Sequence, residues 1–138
     1  MRSLLDTHVL VYADAADQPV RQAQAIALIA GHLRDGSGVL STQVLQEFVN
    51  VALRKLRLPP DLIREWLAFY TRFEVVPASP DLIRAALDLH VLHRLSYSDT
   101  LIVQAAVDSG CQRVLSEDLQ DGFTYRGVRV TNPFRETA

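Results

Sequence analysis

Four acidic side chains are the residues of this chain whose type and placement suggest chemistry. Asp6, Glu47, Asp99 and Asp118 are far apart in the sequence, and each lies at the edge of an apolar segment, where a charge is costly unless it has a use. Carboxylate oxygens that converge from different elements are the ligands that Mg²⁺ and Mn²⁺ prefer. A pair of such ions can activate a water and stabilise the leaving oxygen of a phosphodiester. The four positions therefore predict one metal-binding pocket.

Each acid also has a simpler explanation when it is taken alone. Asp6 can begin the turn that follows the first strand. Glu47 lies beside an apolar helical stripe and not at its centre, as an exposed residue does. Asp99 follows Ser96 by three positions, the spacing of a capping box at a helix N-terminus. Only the combination of all four favours a metal site over these explanations.

The fourth acid is the least determined of the set. Asp118 belongs to the segment SEDLQDG, which has the composition of an ordinary polar loop. Glu117 and Asp121 belong to the same segment and are the weaker candidates for the same role.

Short apolar runs alternate with helical patterns along the chain. The runs RSLLD, GVLS, EVVP, RVLS and GVRVTN are predicted strands. Predicted helices cover VRQAQAIALIAGHL, a segment opened by Thr42, a segment capped by Asp61, residues Pro80 to about His93, and the region around Asp99 that ends at Gly110. The segment VYADAADQP is predicted to break the chain before the first helix. This order favours a three-layer α/β/α sandwich with a short, mainly parallel central sheet, whose strands end at one rim where ligands bind.

Composition is that of one globular domain. The chain has 138 residues, of which 49% are hydrophobic and 22% charged, and we expect a single domain over residues 1–138. No apolar stretch reaches the length of a membrane helix and the N-terminus is not that of a signal peptide, so the cytoplasm is the expected compartment. The single cysteine, Cys111, excludes an internal disulfide and a thiolate zinc cage.

The net charge argues against nucleic-acid binding by bulk attraction alone. The formal charge is −2, with a pI near 6.0. Two bound divalent ions would change the balance to −2 + 4 = +2, and thirteen of the fourteen basic residues are arginines, which suit phosphate contacts. The composition permits a phosphate-rich substrate without requiring one.

An aromatic-rich helix predicts contact with a second subunit. Apolar residues nearly encircle this helix, namely Leu62, Ile63, Trp66, Leu67, Phe69, Tyr70 and Phe73, and its aromatic side chains are not expected all to face one core. We therefore expect a homodimer that uses this helix.

Four segments, in order and spacing, resemble the PIN domain, particularly the single-domain toxins of VapBC toxin-antitoxin pairs. They are LLDTHVLVYA, LSTQVLQEFVNVALRK, LSYSDTLIVQAA and VLSEDLQDGF, and the resemblance covers nearly the whole chain. It implies a ribonuclease that depends on one or two Mg²⁺ or Mn²⁺ ions and leaves 5′-phosphate ends. It also implies a homodimer that is restrained by a small antitoxin, a segment of which covers the active site.

The resemblance assigns roles to the acids and to their neighbours. Asp6, Glu47, Asp99 and Asp118 correspond to the acids that hold the metal and carry catalysis. Many family members have Asn where this chain has His8, and a Trp just before the third acid is Ser98 here. Candidates for orienting the metal ligands or the substrate are Thr7, His8, Thr100 and Ser116.

Basic residues near the expected mouth of the pocket are candidates for RNA contacts. Arg54 and Lys55 end the helix that carries Glu47, and Arg94 precedes the helix that carries Asp99. Each of the three basic side chains can equally be part of a solvated surface. Arg57, Arg126 and Arg129 belong to the same group.

Three other functions compete with the ribonuclease. A magnesium-dependent phosphatase of the Asp-x-Asp type would lack its general acid, because the third position is His8. A phosphate-accepting receiver module needs a lysine after its last strands. The one lysine of this chain, Lys55, lies in the second predicted helix instead. A catalytically inactive PIN-like module that binds RNA or protein is the remaining alternative, and four intact acids argue against it.

Overall fold

A mainly parallel sheet forms the centre of the protein, which a computed structural model describes over residues 1–135. The strands are β1 (Ser3–Leu5), β2 (Gly38–Ser41), β3 (Glu74–Val76), β4 (Arg113–Leu115), β5 (Thr124–Tyr125) and β6 (Val128–Thr131). The helices are α1 (Thr7–Tyr12), α2 (Pro19–Arg34), α3 (Thr42–Arg54), α4 (Pro60–Tyr70), α5 (Pro80–His93) and α6 (Tyr97–Asp108). The predicted alternation of strands and helices is confirmed.

The order of the strands places a crevice beside β1. The sheet has the order β3-β2-β1-β4-β6-β5, and within the described residues only β5 is antiparallel to its neighbour. The connections from β1 to β2 and from β2 to β3 run in one direction along the sheet, and the connection from β3 to β4 runs back in the other direction. Because each crossover is right-handed, α1–α4 cover one face of the sheet and α5 and α6 cover the other. The predicted α/β/α sandwich is therefore confirmed. The direction in which strands are added to the sheet therefore reverses between β1 and β4, and open α/β sheets bind ligands at such a point.

The strands are apolar on both faces because helices cover both faces. Their side chains form the centre of the core, where Leu4, Leu5, Val39, Leu40, Val114 and Leu115 are almost fully buried. Burial on both sides holds the C-terminal ends of β1 and β4 in fixed positions.

Local structure differs from the sequence prediction at several element boundaries. Helix α1 begins directly after Asp6, before the predicted break, and its six residues are too few to establish a helical period. Ser41, and not Thr42, caps α3, since its hydroxyl accepts a hydrogen bond from the Val44 N–H. Helix α4 begins at Pro60 without a side-chain cap, so Asp61 lies in its first turn.

The aromatic residues of α4 pack mostly within the monomer. Tyr70 is fully buried and Phe73 nearly so. The Tyr70 ring stacks on Trp66, with centroids 5.4 Å apart, and meets Phe48 of α3 edge-on at 5.2 Å. Only parts of Trp66 and Phe69 are left for a second subunit, which weakens the argument for an interface at Leu62–Phe73.

In the part of the chain that the structure describes, none of the helices combines the length and the apolar character needed to cross a membrane.

Candidate functional site

The four predicted carboxylates line one cleft at the rim between β1 and β4. Asp6 directly follows β1, Asp118 lies three residues after β4, Asp99 lies in the first turn of α6, and Glu47 lies in the second turn of α3. The cleft has a volume of about 260 Å³ and is lined by these acids together with Thr7, His8, Asn50, Val51, Ser98 and Ile102. Cavities of about 530 and 600 Å³ lie elsewhere on the surface, and the chemistry of the lining favours the smaller cleft.

Asp6 is the most constrained of the four acids. Its side chain is buried, with 5% of the residue exposed. Oδ1 accepts a hydrogen bond from the Thr7 N–H at 2.7 Å, and Oδ2 accepts one from the Ser116 hydroxyl at 2.7 Å. Burial raises the pKa of Asp6, and the charges of Glu47 and Asp118 raise it further against the opposing effect of the two hydrogen bonds. A divalent cation would compensate the charge that burial and repulsion make unfavourable.

Thr7 connects Asp6 to Glu47. Its N–H binds the first carboxylate, and its hydroxyl donates to Glu47 Oε2 at 2.6 Å. The other oxygen of Glu47 accepts from Gln43 Nε2 at 3.1 Å, and the same amide nitrogen lies 3.0 Å from the carbonyl and from the hydroxyl of Ser98. These contacts hold Glu47 between α1 and the start of α6.

Ser116 connects Asp6 to the loop that carries the fourth acid. Its hydroxyl donates to Asp6 and accepts from the N–H groups of Asp118 and Leu119, at 3.2 and 3.1 Å. Asp118 Oδ2 lies 2.6 Å from His8 Nδ1, and both side chains are about half exposed. Because a carboxylate only accepts, the Nδ1 of His8 carries the hydrogen.

Of the three acidic candidates after β4, Asp118 is the one that lines the cleft. Glu117 turns away and accepts from the Tyr12 hydroxyl and from Arg21, both at 2.9 Å. The carboxylate of Asp121 accepts from the Asn132 N–H at 3.0 Å and lies 2.7 Å from Arg135. Glu117 and Asp121 therefore hold the surrounding loops in place.

Asp99 and Thr100 have different surroundings although they are adjacent. The N–H of Asp99 donates to the Ser96 hydroxyl at 3.1 Å, which is one half of the expected capping box, while the Asp99 side chain lines the cleft. Thr100 is fully buried, and its hydroxyl donates to the Tyr97 carbonyl of its own helix at 2.6 Å. Thr100 is thus absent from the described lining of the cleft.

The predicted basic residues are exposed around the site and not inside it. Arg54 lies in the last turn of α3 and Lys55 ends that helix, beyond the cleft residues Asn50 and Val51. Arg94 ends α5 with a φ of 58°. All three side chains are exposed and available to a ligand that extends past the cleft.

Sequence reasoning missed Gln43 and Asn50 as parts of the site. Gln43 precedes Glu47 by four residues and Asn50 follows it by three, so both lie on the Glu47 side of α3. A search of that helix face for polar side chains would have found them.

The donors and acceptors of the cleft fit a hard cation. Four carboxylates come from four different elements, and oxygen is the donor that Mg²⁺ and Mn²⁺ prefer. Within residues 1–135, no three acidic, histidine or cysteine side chains already converge as a complete ligand set. Protein donors contact the carboxylates of Asp6, Glu47 and Asp118.

Comparisons with known proteins identify the fold. The family described as PIN domain matches residues 3–123. Similar solved structures include the Mycobacterium tuberculosis VapC20, a sarcin-ricin loop cleaving toxin, at 20% identity and a TM-score of 0.66 over 84% of this chain and 89% of that one. A toxin-antitoxin complex from Klebsiella pneumoniae matches at 17% identity and a TM-score of 0.69, over 97% and 99% of the two chains. VapBC2 from Rickettsia felis matches at 16% identity and a TM-score of 0.68, over 96% of this chain and 98% of that one.

No curated protein matches the sequence.

Proposed function

The chain belongs to the PIN domain family, and from that premise we propose that it is a metal-dependent endoribonuclease that acts as the toxin of a toxin-antitoxin pair. The observation that carries the proposal is the convergence of Asp6, Glu47, Asp99 and Asp118 in one cleft, with Asp6 buried among the others. A buried carboxylate beside two further negative charges is unfavourable unless a cation joins them. The arrangement therefore favours a catalytic metal site over a solvated acidic surface.

These four carboxylates would hold one or two Mg²⁺ or Mn²⁺ ions. When bound, such ions lower the pKa of a water and stabilise the charge that develops on the phosphodiester. Thr7 and Ser116 orient Asp6, and Thr7 with Gln43 orients Glu47, so the ligand oxygens keep their positions when substrate binds. Products with 5′-phosphate ends are the expected result.

The partners in the proposal are an RNA and a small antitoxin. VapC20 is described as cleaving the sarcin-ricin loop, and the Klebsiella pneumoniae structure as a toxin-antitoxin complex. By similarity of fold, we extend an RNA substrate and an antitoxin partner to this chain. An RNA substrate of this kind would place the protein in the cytoplasm.

We also propose a homodimer, with the subunit interface on α5 and not on α4. The exposed aliphatic side chains Ile83, Leu87 and Val91 are spaced by four residues along α5 and form one stripe. A second copy would bury this stripe, whereas the aromatic residues of α4 are already largely covered.

Cleavage of RNA tests the proposed activity directly. Pure protein is incubated with a panel of labelled RNAs in Mg²⁺ or Mn²⁺, and in chelator. We expect cleavage that Asp6→Asn and Asp99→Asn each abolish, because each removes one negative ligand. Asp81→Asn is the matched control, since Asp81 is an exposed residue in the first turn of α5. Cleavage that survives both variants, or that survives the chelator, would contradict the proposal.

A further inference from the structure

Within residues 1–135, three residues other than glycine have a left-handed backbone conformation, and all three are arginines. Arg57, Arg94 and Arg126 have φ values of 52°, 58° and 48°. Glycine or asparagine is the usual occupant of this conformation, because a longer side chain crowds the backbone. Arg126 and Gly127 form the two-residue turn between β5 and β6, a position that favours Asn-Gly. An arginine held against this preference suggests a role for its guanidinium.

Arg126 lies over an aromatic ring, and Arg94 follows a histidine whose ring packs against the same aromatic residue. The Arg126 guanidinium lies over the Tyr125 ring, 5.4 Å from its centroid. The His93 ring meets Tyr125 and Phe123 edge-on, with centroids 5.3 and 5.6 Å away. Arg94 follows His93 in the chain. We call the five residues His93, Arg94, Phe123, Tyr125 and Arg126 the α5–β5 patch.

The patch offers positive charge together with partly accessible ring surface. His93, Arg94 and Arg126 are exposed, and Phe123 and Tyr125 are half-buried. Among the ion pairs formed by residues 1–135, none involves Arg94 or Arg126. Both guanidinium groups are therefore available for an external anion.

The patch extends to the edge of the sheet opposite the cleft. Tyr125 pairs with Val128 at the start of β6, and the next residue of β6 pairs with Arg113 at the start of β4, so the turn at Arg126 lies at the N-terminal edge of the sheet. The Val130 N–H donates to the Phe123 carbonyl at 2.8 Å, which places Phe123 next to β6, near the end of the sheet where Asp118 leaves β4. Phe123 is thus two strand spacings, about 10 Å, to the side of β4. On the helical side, Arg94 precedes Asp99 by five residues. Arg94 and Phe123 are thus each five residues along the chain from an acid of the cleft, whereas Tyr125 and Arg126 lie farther away, at the other edge of the sheet.

We propose that the α5–β5 patch binds the single-stranded RNA that flanks the scissile bond. Bases stack on aromatic and guanidinium planes, and arginines contact the phosphates between them, in a manner that tolerates different sequences. The choice of RNA as the ligand rests on the proposed ribonuclease function. The patch then holds the strand several nucleotides away from the phosphodiester that reaches the carboxylates.

Binding measured without cleavage tests this subsite. Fluorescence anisotropy follows the titration of labelled oligo-A and oligo-U with the full chain in chelator, over a range of salt concentrations. Tyr125→Leu keeps an apolar side chain but removes the aromatic face, so we expect about fivefold weaker binding or more. The double variant Arg94→Asn/Arg126→Asn should lower the slope of log Kd against log salt by about 0.7 for each phosphate that the variant no longer neutralises.

Thermal unfolding separates weaker RNA binding from a damaged fold. Asparagine suits left-handed positions, so the melting temperature of the double variant should not fall below that of the wild type. Arg34→Asn is the control, because it removes the charge of an exposed arginine in the last turn of α2, outside the patch and the cleft. It should leave RNA binding nearly unchanged.

The outcomes distinguish the patch from the proposed activity. Wild-type affinity in the Tyr125 and double variants overturns the subsite, even if the protein cleaves RNA. RNA binding that is weakened equally in Arg34→Asn, or binding of double-stranded RNA as tight as that of single strands, overturns it too. A wild-type protein that binds no RNA also overturns the subsite. Patch-dependent binding by a protein that never cleaves supports the subsite and contradicts the nuclease.

Discussion

Single side chains between the carboxylates determine how the cleft is organised. Thr7 contacts two acids at once, through its N–H to Asp6 and through its hydroxyl to Glu47. The two acids are 41 positions apart in the sequence (47 − 6 = 41), and Thr7 holds them in a common arrangement. Orienting groups of this kind affect metal affinity and activity nearly as strongly as the ligands do.

Removal of the Thr7 hydroxyl should weaken the proposed activity without unfolding the protein. Thr7→Val keeps the shape of the buried side chain and leaves Glu47 with one donor fewer, so we expect RNA cleavage to fall by about 10- to 100-fold. Thr7→Ser retains the hydroxyl and serves as the control. Initial cleavage rates and Mn²⁺ titrations measure the effect. Full activity in Thr7→Val would show that the hydrogen bond from Thr7 to Glu47 is not needed for activity.

Asp6 makes the stability of the metal-free protein depend on pH. Burial is the main cause that raises its pKa above the ordinary value of 3.8. The folded protein therefore keeps a proton on Asp6 at pH values where the unfolded chain has already released it. The free energy of unfolding falls as pH rises from 3.8 through the raised pKa, and stays lower above it.

Asp6→Asn should accordingly stabilise the protein in chelator. The uncharged amide can still accept from the Thr7 N–H, and it removes a buried charge at about pH 7. We expect a higher melting temperature than that of the wild type at neutral pH, and a smaller difference as pH approaches 3.8. Saturating Mn²⁺ should raise the melting temperature of the wild type more than that of the variant. An Asn variant that melts below the wild type at neutral pH would refute this account.

Elements with strong local signals were predicted well from the sequence. The predicted bounds of α5, Pro80 to about His93, agree with the structure, because Ser79 caps its first turn and Pro80 begins it. Helix α1 and strand β5 were missed, since six and two residues contain too little periodicity to identify. Their positions depend on contacts with the rest of the fold.

Strand β2 contains a close approach that requires glycine. A Cβ on Gly38 would lie 2.5 and 2.7 Å from carbons of the Phe73 ring and 3.0 Å from the His32 Cβ. Gly38→Ala should therefore lower the free energy of unfolding by about 1–3 kcal/mol. Gly31→Ala, in the interior of α2 with 3.8 Å to its nearest neighbour, should raise it by about 0.5–1 kcal/mol. Urea denaturation measures both, and equal stability of the two variants would contradict the packing argument.

The whole molecule presents one regular apolar stripe on α5. Ile83, Leu87 and Val91 are 42%, 51% and 74% exposed. His93 of the α5–β5 patch lies about 200° around the helix from Val91, so a dimer through the stripe would leave His93 accessible.

A homodimer through this stripe makes a simple prediction. Light scattering at micromolar concentration should give a dimeric mass for the wild type, and a monomeric mass for Leu87→Lys/Val91→Lys with little change in monomer stability. Leu53→Lys on α3, where the side chain is 48% exposed, is the control and should remain dimeric. A monomeric wild type, or a double variant that stays dimeric, would exclude this interface.

The sequence by itself determined the class of fold and the four acids that the structure brings into one cleft. Alternating apolar runs and helices are local patterns, and a carboxylate at the end of a buried run is visible without coordinates. Parallel strands with right-handed crossovers then leave few arrangements for their C-terminal ends. The positions of Asp6 and Asp118 at one rim followed from that constraint.

Only the tertiary structure decided which side chains face one another. It directs Asp118 to the cleft while Glu117 binds Tyr12 and Arg21, and it turns the α4 ring of Tyr70 into the core. Such choices depend on contacts between residues distant in sequence, and those contacts are set by strand register and helix packing. Neighbouring residues of similar chemistry give no local signal that separates them, which is why the sequence favoured Asp118 as the fourth acid but left Glu117 and Asp121 as alternatives.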